Sequence, residues 1–135
     1  MREAYLWSKH LKPWLVARNF MAVRMAFNGT GQTDCFAYRR PHYFGLELKT
    51  ITAKTESGAF AEMQRKHNRA QQLWRNKVVA SGGVHVLIGA NAKGELFATV
   101  TRMDANGLAY NLAFYGKEIS ENINEFFKLF YPGGI

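Results

Sequence analysis

The chain has 135 residues, 47% of them apolar, and a formal net charge of +8. That length predicts one domain with a real core and excludes a disordered tail, a linker or a collagen-like segment. The one cysteine, Cys35, excludes an internal disulfide framework and a Cys-rich zinc site, and no apolar run approaches the roughly twenty residues of a membrane span.

Residues 3–16 are predicted as a helix, because Trp7, Leu11, Trp14 and Leu15 fall on one apolar stripe. Glu3 lies on the same stripe, where an inward carboxylate is costly unless a cation or donor receives it. Pro13 is expected to kink or shorten this helix. Phe20–Phe27 is expected as a strand, followed by turn chemistry in Asn28-Gly29-Thr30-Gly31-Gln32. Thr33–Arg39 and His42–Lys49 read as an antiparallel hairpin joined by Arg39-Arg40-Pro41. Residues 57–81 read as one long helix. Phe60, Met63, His67, Ala70, Trp74 and Val78 mark its inner face, and Glu62, Arg65, Lys66, Arg69, Arg75 and Lys77 the opposite one. Ser81-Gly82-Gly83 is a helix stop. Val84–Ile88 is a short strand expected to be buried on both faces. Glu95–Arg102 and Leu108–Phe114 form a second hairpin around Asp104-Ala105-Asn106-Gly107. Glu118–Tyr131 closes the chain as an amphipathic helix with Ile119, Ile123, Phe126, Phe127 and Phe130 inward. The expected class is α/β, a mixed sheet with helices on its faces.

The charge is uneven. Residues 1–83 hold 14 Lys/Arg against 5 Asp/Glu, a balance of +9, and residues 84–135 hold 4 against 5, a balance of −1. A basic half of that kind attracts polyanions, and nucleic acid is the commonest in a reducing cytoplasm, the compartment expected here. Solubility alone is the plainer explanation of the same charge.

The chemistry concentrates in Gly31-Gln32-Thr33-Asp34 and Gly45-Leu46-Glu47-Leu48-Lys49. Alternate residues of a strand share a face, so Glu47 and Lys49 point together while Leu46 and Leu48 point into a core. A hairpin brings Asp34 beside Glu47, within reach of one metal ion. Two carboxylates with backbone and water oxygens suit a hard divalent cation such as Mg²⁺ or Mn²⁺. Such an ion activates water and polarises a phosphodiester, and Lys49 is placed to hold that water and offset charge on the phosphoryl oxygens. The plain alternative is a surface Glu47–Lys49 pair on an edge strand.

Asp34, Glu47 and Lys49 match the signature of the PD-(D/E)XK nuclease superfamily, and the chain most resembles stand-alone virus-type replication-repair nuclease (VRR-NUC) domains and Holliday junction resolvases. The resemblance spans about residues 1–90. It takes in the leading helix with Glu3, the strand with Arg24, the Gly31-to-Asp34 turn, the Glu-x-Lys strand, and the helix pattern Gln71, Trp74, Val78, Gly82. It departs from the family at Thr33, where proline is usual before the aspartate, and in a longer gap between Lys49 and Gln71. The polar stretch Thr52–Ser57 within that gap reads as a mobile, DNA-contacting loop.

The resemblance implies a restriction-endonuclease-like fold, an α-β-β-β-α-β core followed by a hairpin and helix. It implies a metal-dependent endodeoxyribonuclease acting on branched DNA such as four-way junctions. By the same analogy Asp34 and Glu47 bind metal with the Leu48 carbonyl, Lys49 positions the nucleophilic water, and Glu3 and Gln71 complete the site, with Gln72 the competitor for the last place. Arg24, Arg39, Arg40, Arg65, Arg69 and Arg75 are the candidates for phosphate contact. A homodimer is implied, with the aromatic C-terminal half as its interface, and the compact chain fits a bacterial or phage-infected cell. The other function class consistent with these residues is a nuclease-fold DNA-binding accessory protein without catalysis.

Other motifs fail on spacing. His10, His42, His67 and His85 show no metal-ligand pattern. His67-Asn68-Arg69 lacks the second half of a His-Asn-His nuclease. Gly29-x-Gly31-x-x-Asp34 misses the last glycine of a dinucleotide fingerprint, and no P-loop exists. Cys35 follows Asp34 and so faces the core. Tyr38, Arg39, Arg40 and Tyr43 make a basic-aromatic patch suited to DNA backbone or to stacking on bases, or simply a solvated turn.

Overall fold

The computed structural model describes residues 1–25 and 34–128. The Asn28–Gln32 turn, Gly31 and Thr33 of the motif, and Phe130 lie outside the described residues. The leading helix, α1, runs as Glu3–Tyr5, a π-helical stretch Leu6–Leu11, and an α-helical end Lys12–Val16. The Lys12 N–H reaches back to the Trp7 carbonyl. Pro13 has no N–H and would crowd the carbonyl four residues before it, so the wider turn passes the chain through without a break. Asn19 then turns the chain at φ 65°, a left-handed conformation that asparagine tolerates.

The strands are β1 (Met21–Arg24), β2 (Cys35–Arg39), β3 (His42–Thr50), β4 (Val84–Ala90), β5 (Leu96–Met103) and β6 (Ala109–Gly116). They form one six-stranded sheet in sequence order. Only the β3–β4 pair is parallel, and the helices between these strands supply the crossover that such a pair needs.

Those helices correct the sequence reading. The helix expected over 57–81 is two, α2 (Glu56–Lys66) and α3 (Arg69–Ala80). Asn68 breaks it. Its side chain accepts from the Gln71 N–H at 2.9 Å, and the Gln71 side chain accepts from the Asn68 N–H at 3.1 Å. This reciprocal cap satisfies two otherwise orphaned donors and starts a new helix. Glu62, expected on the outer face, is buried. It accepts the Thr52 and Ala53 N–H groups at 2.9 Å each and pairs with Lys66 at 2.7 Å. The hydrogen bonds from Lys66 and this backbone hold its carboxyl down to about 2 against the penalty of burial. The stretch read as a mobile loop is thus tied down at Thr52 and Ala53 by Glu62. At Thr55 it caps α2 through the Gly58 N–H.

The last described helix is α4 (Ile119–Lys128). It lies with α1 on one face of the sheet. Leu6, Leu11 and Leu15 of α1 meet Leu46, Leu48, Val86 and Ile88 of the strands and Phe126 and Phe127 of α4. Burial of each such side chain contributes about 1.5–3 kcal/mol. Trp14 stacks on Phe127 with centroids 4.0 Å apart. Phe126 and Phe127 are thus buried inside the chain, while Tyr110 of the same C-terminal half is exposed. Helices α2 and α3 cover the opposite face over a smaller cluster of Ile51, Ala59, Met63, Leu87 and Phe97. Among the described residues no helix is long and apolar enough to cross a membrane.

Candidate active site

β3 carries the site because its register is set from both sides. Cys35 pairs with Leu46, so the next position back, Asp34, stands opposite Glu47. On the other side Glu47 pairs with Leu87 and Lys49 with Gly89. Alternation then sends Cys35, Leu46 and Leu48 into the α1/α4 core, and turns Asp34, Glu47 and Lys49 toward α2 and α3. The Cys35 thiol is pushed up to about 12 by burial and by Asp34, which leaves it inert.

Glu47 is wholly buried and Lys49 is 9% exposed, yet neither belongs to an apolar cluster. Gln71, at the start of α3, bridges them. Lys49 Nζ donates to Gln71 Oε1 at 3.0 Å, and Gln71 Nε2 donates to Glu47 Oε2 at 3.3 Å. The cap at Asn68 fixes the position of that amide, so one residue both begins a helix and joins an acid to a lysine. Gln72, its competitor, points elsewhere and donates to the His67 carbonyl at 2.7 Å. The Leu48 main chain is also at the site, its N–H donating to Asp34 Oδ2 at 3.0 Å.

The electrostatics are those of two carboxyls crowded together in a buried place. Burial pushes the Glu47 carboxyl up to about 9. The neighbouring Asp34 charge and a hydrogen bond with the Asp34 side chain act in the same direction, and Lys49 only partly offsets them. Glu47 Oε1 is buried without a hydrogen-bond partner. Glu3, half-buried in the first turn of α1, is raised by burial and by Asp34 and is lowered by Lys49 and Arg24. It therefore sits within the electrostatic reach of the cluster. Among the described residues no group of three or more His, Cys, Asp or Glu side chains forms a metal-holding cluster. The residues present fit a hard cation through a smaller set, the Asp34 and Glu47 carboxylates with main-chain oxygen. The unpartnered Oε1 is the atom such an ion would satisfy.

The arginines divide. Arg39 lies on the α1 side, donating to the Arg18 carbonyl at 3.1 Å, and Arg24, paired with Cys35, faces the same way. Arg40 is exposed at the β2–β3 turn, and Arg65 and Arg69 are exposed on α2 and α3. Arg75 is half-buried on α3 and donates to Asn76.

Sequence reasoning missed a histidine pair beside the site. His67 and His85 stack with ring centroids 5.6 Å apart. Both are buried, and His67 Nε2 and both His85 ring nitrogens lack hydrogen-bond partners. Burial lowers His67 to about 4 and His85 to about 3, with nearby cations adding to the effect. The pair came from elements far apart in the chain, and no spacing signalled it. The Asn68-x-x-Gln71 cap, by contrast, was a visible signal of the helix break. The sequence matches no protein-family model and no curated protein.

Proposed function

We propose that this protein is a divalent-metal-dependent DNA endonuclease of the PD-(D/E)XK type, acting on branched DNA. The observation that carries the reading is the Asp34–Glu47–Lys49–Gln71 constellation: two adjoining carboxylates, one oxygen of which is buried without a partner, and a buried lysine joined to Glu47 through a single amide. Asp34 and Glu47, with the Leu48 carbonyl, would hold Mg²⁺ or Mn²⁺, which when bound would supply Lewis acidity toward the phosphodiester and make water more acidic.

The remaining chemistry belongs to the chain. Lys49 orients the attacking water through its ammonium and offsets the charge that builds on the phosphoryl oxygens. Gln71 keeps Lys49 and Glu47 in register. Glu3 adds a carboxyl at the edge of the cluster. The exposed Arg40, Arg65 and Arg69 are placed to neutralise the phosphate backbone, a contribution that weakens with salt. Arg24 and Arg39, on the other side of the sheet, serve a duplex only where it wraps the β1–β2 edge.

Labelled four-way junction and linear duplex, each incubated with protein in Mg²⁺ and in EDTA, test the reading. Metal-dependent cutting, stronger on the junction, is the expected result. Binding without cutting across Mg²⁺ and Mn²⁺ would instead establish a DNA-binding accessory protein.

A further inference from the structure

A recess lies on the same side of the sheet as the acid–lysine set. It encloses about 500 Å³ between the β2–β3 hairpin and the end of α3, and is lined chiefly by Tyr38, Tyr43, Trp74, Lys77 and Gly83. That volume is within the range of ligand clefts. Tyr38 and Tyr43 are direct cross-strand partners, so their rings share a face. Gly83 lets Tyr43 settle there, since a Cβ at Gly83 would stand 2.8 Å from the Tyr43 ring. Lys77 Nζ sits over the Trp74 ring, 5.8 Å from its centroid.

The recess and the site share two elements, β3 and α3. Tyr43 precedes Glu47 by four residues on β3, about 13 Å at about 3.3 Å per residue, and shares its face. Trp74 follows Gln71 by one helical turn. The sheet between recess and edge is also uncovered. Met21, paired with Tyr38, is 62% exposed, and Val23, paired with Phe36, is 40% exposed. Lys77 is the charged residue of the lining, and the segments that supply the lining, residues 38–43 and 74–83, contain Arg39, Arg40, Arg75 and Lys77 and no Asp or Glu. Aromatic rings beside a cation suit an anionic polymer whose bases can leave their stack.

We infer that this recess receives an unpaired nucleobase of the DNA strand held at the acid–lysine site, about four B-form steps away at about 3.4 Å per step. The inference rests on the nuclease reading for the strand's path, and it supplies a reason for preferring branched DNA. A junction offers bases that are already unstacked, whereas an intact duplex must be opened at a cost.

Fluorescence anisotropy in EDTA, where nothing is cut, tests it with a fully paired duplex and with the same duplex carrying a short thymidine bulge. The wild-type protein should bind the bulged DNA more tightly. Tyr38→Ala should weaken bulged-DNA binding on the order of 10-fold and leave paired DNA unchanged, while Tyr38→Phe retains wild-type affinity. Tyr38 is 41% exposed, so these substitutions spare the core. Equal loss on both DNAs, or no preference for the bulge, would overturn the inference. So would Tyr38→Ala converting a sedimenting dimer to a monomer, which would make the face a contact between copies of this chain. Base preference without any metal-dependent cutting would sink the nuclease reading and leave the recess standing. Cutting without base preference would do the reverse.

Discussion

The two faces of the sheet are built from the same strands and do opposite things with burial. Against α1 and α4 the even-numbered residues in the middle of β3, β4 and β5 are apolar and meet apolar partners, among them Leu46, Leu48, Val86, Ile88 and Ala98. Against α2 and α3 the odd-numbered residues of β3 and β4 include Glu47, Lys49 and His85, buried with few partners or none. Burying an ionisable group costs free energy unless a counter-charge or hydrogen bond receives it. The first face therefore supplies stability and the second spends some of it on holding charges in place. Preorganised charge of this kind is what the proposed chemistry would need.

The largest difference between the faces should emerge in loss of function against loss of stability. Lys49→Ala is expected to lower metal-dependent cleavage on the order of 10²–10⁴-fold, about 3–5 kcal/mol of activation free energy. Its circular dichroism and DNA binding in EDTA should stay as in the wild type. A cleavage rate near wild type would remove the lysine from the mechanism. Phe126→Ala, on the other face, should cost about 3–5 kcal/mol of unfolding free energy in a urea titration, and the folded fraction should still cut.

Glu47→Gln should go the other way in stability. It removes a carboxyl that the fold disfavours in its charged form, and should raise the metal-free unfolding free energy by about 1–3 kcal/mol. Mn²⁺ is expected to raise the melting temperature of the wild type and to leave that of this variant unchanged. A metal-free protein made less stable by this change would show that Glu47 is a satisfied structural acid.

The pH dependence separates the groups of the polar face from one another. The Glu47 carboxyl is raised in the fold to about 9. Its contribution is favourable below about pH 4.5 and is lost as pH rises toward 9 in the absence of metal. His85 and His67 are lowered to about 3 and about 4. Theirs is fully present above about pH 6.5 and is lost as pH falls through those values. Urea midpoints for His85→Phe and the wild type should therefore converge at pH 8 and diverge as the pH is lowered from 6.5 to 4.5, with the wild type losing more. Parallel curves over that interval would mean that His85 is no less protonated in the fold than in the unfolded chain.

The smallest expected effect is at the joint between α2 and α3. Asn68→Ala should cost about 1 kcal/mol through loss of the cap. Because the cap also positions Gln71, cleavage should fall more than stability does. An unchanged rate would show that Gln71 finds Lys49 and Glu47 without it.

Local pattern carried much of this protein into view. Alternation in Gly45–Lys49 was enough to separate Glu47 and Lys49 from Leu46 and Leu48. The hairpin chemistry of Arg39-Arg40-Pro41 was enough to set Asp34 opposite Glu47, because an antiparallel register follows from its turn. The apolar stripes of α1 and α4 were equally plain. Helical periodicity failed at residues 57–81, since Phe60, Met63, His67 and Trp74 keep their spacing across a break that only the Asn68 cap makes. It also misassigned Glu62, whose burial depends on the Thr52 and Ala53 N–H groups that fold back onto it.

What no local rule could reach is the set of relations between distant elements: the stacking of His67 on His85, the Gln71 bridge, the oxygen of Glu47 left without a partner, and the recess where Tyr38 and Tyr43 meet Trp74. Each depends on which helix lies over which strand. That choice is made by the summed burial of apolar surface over the whole sheet, a quantity that no single segment contains.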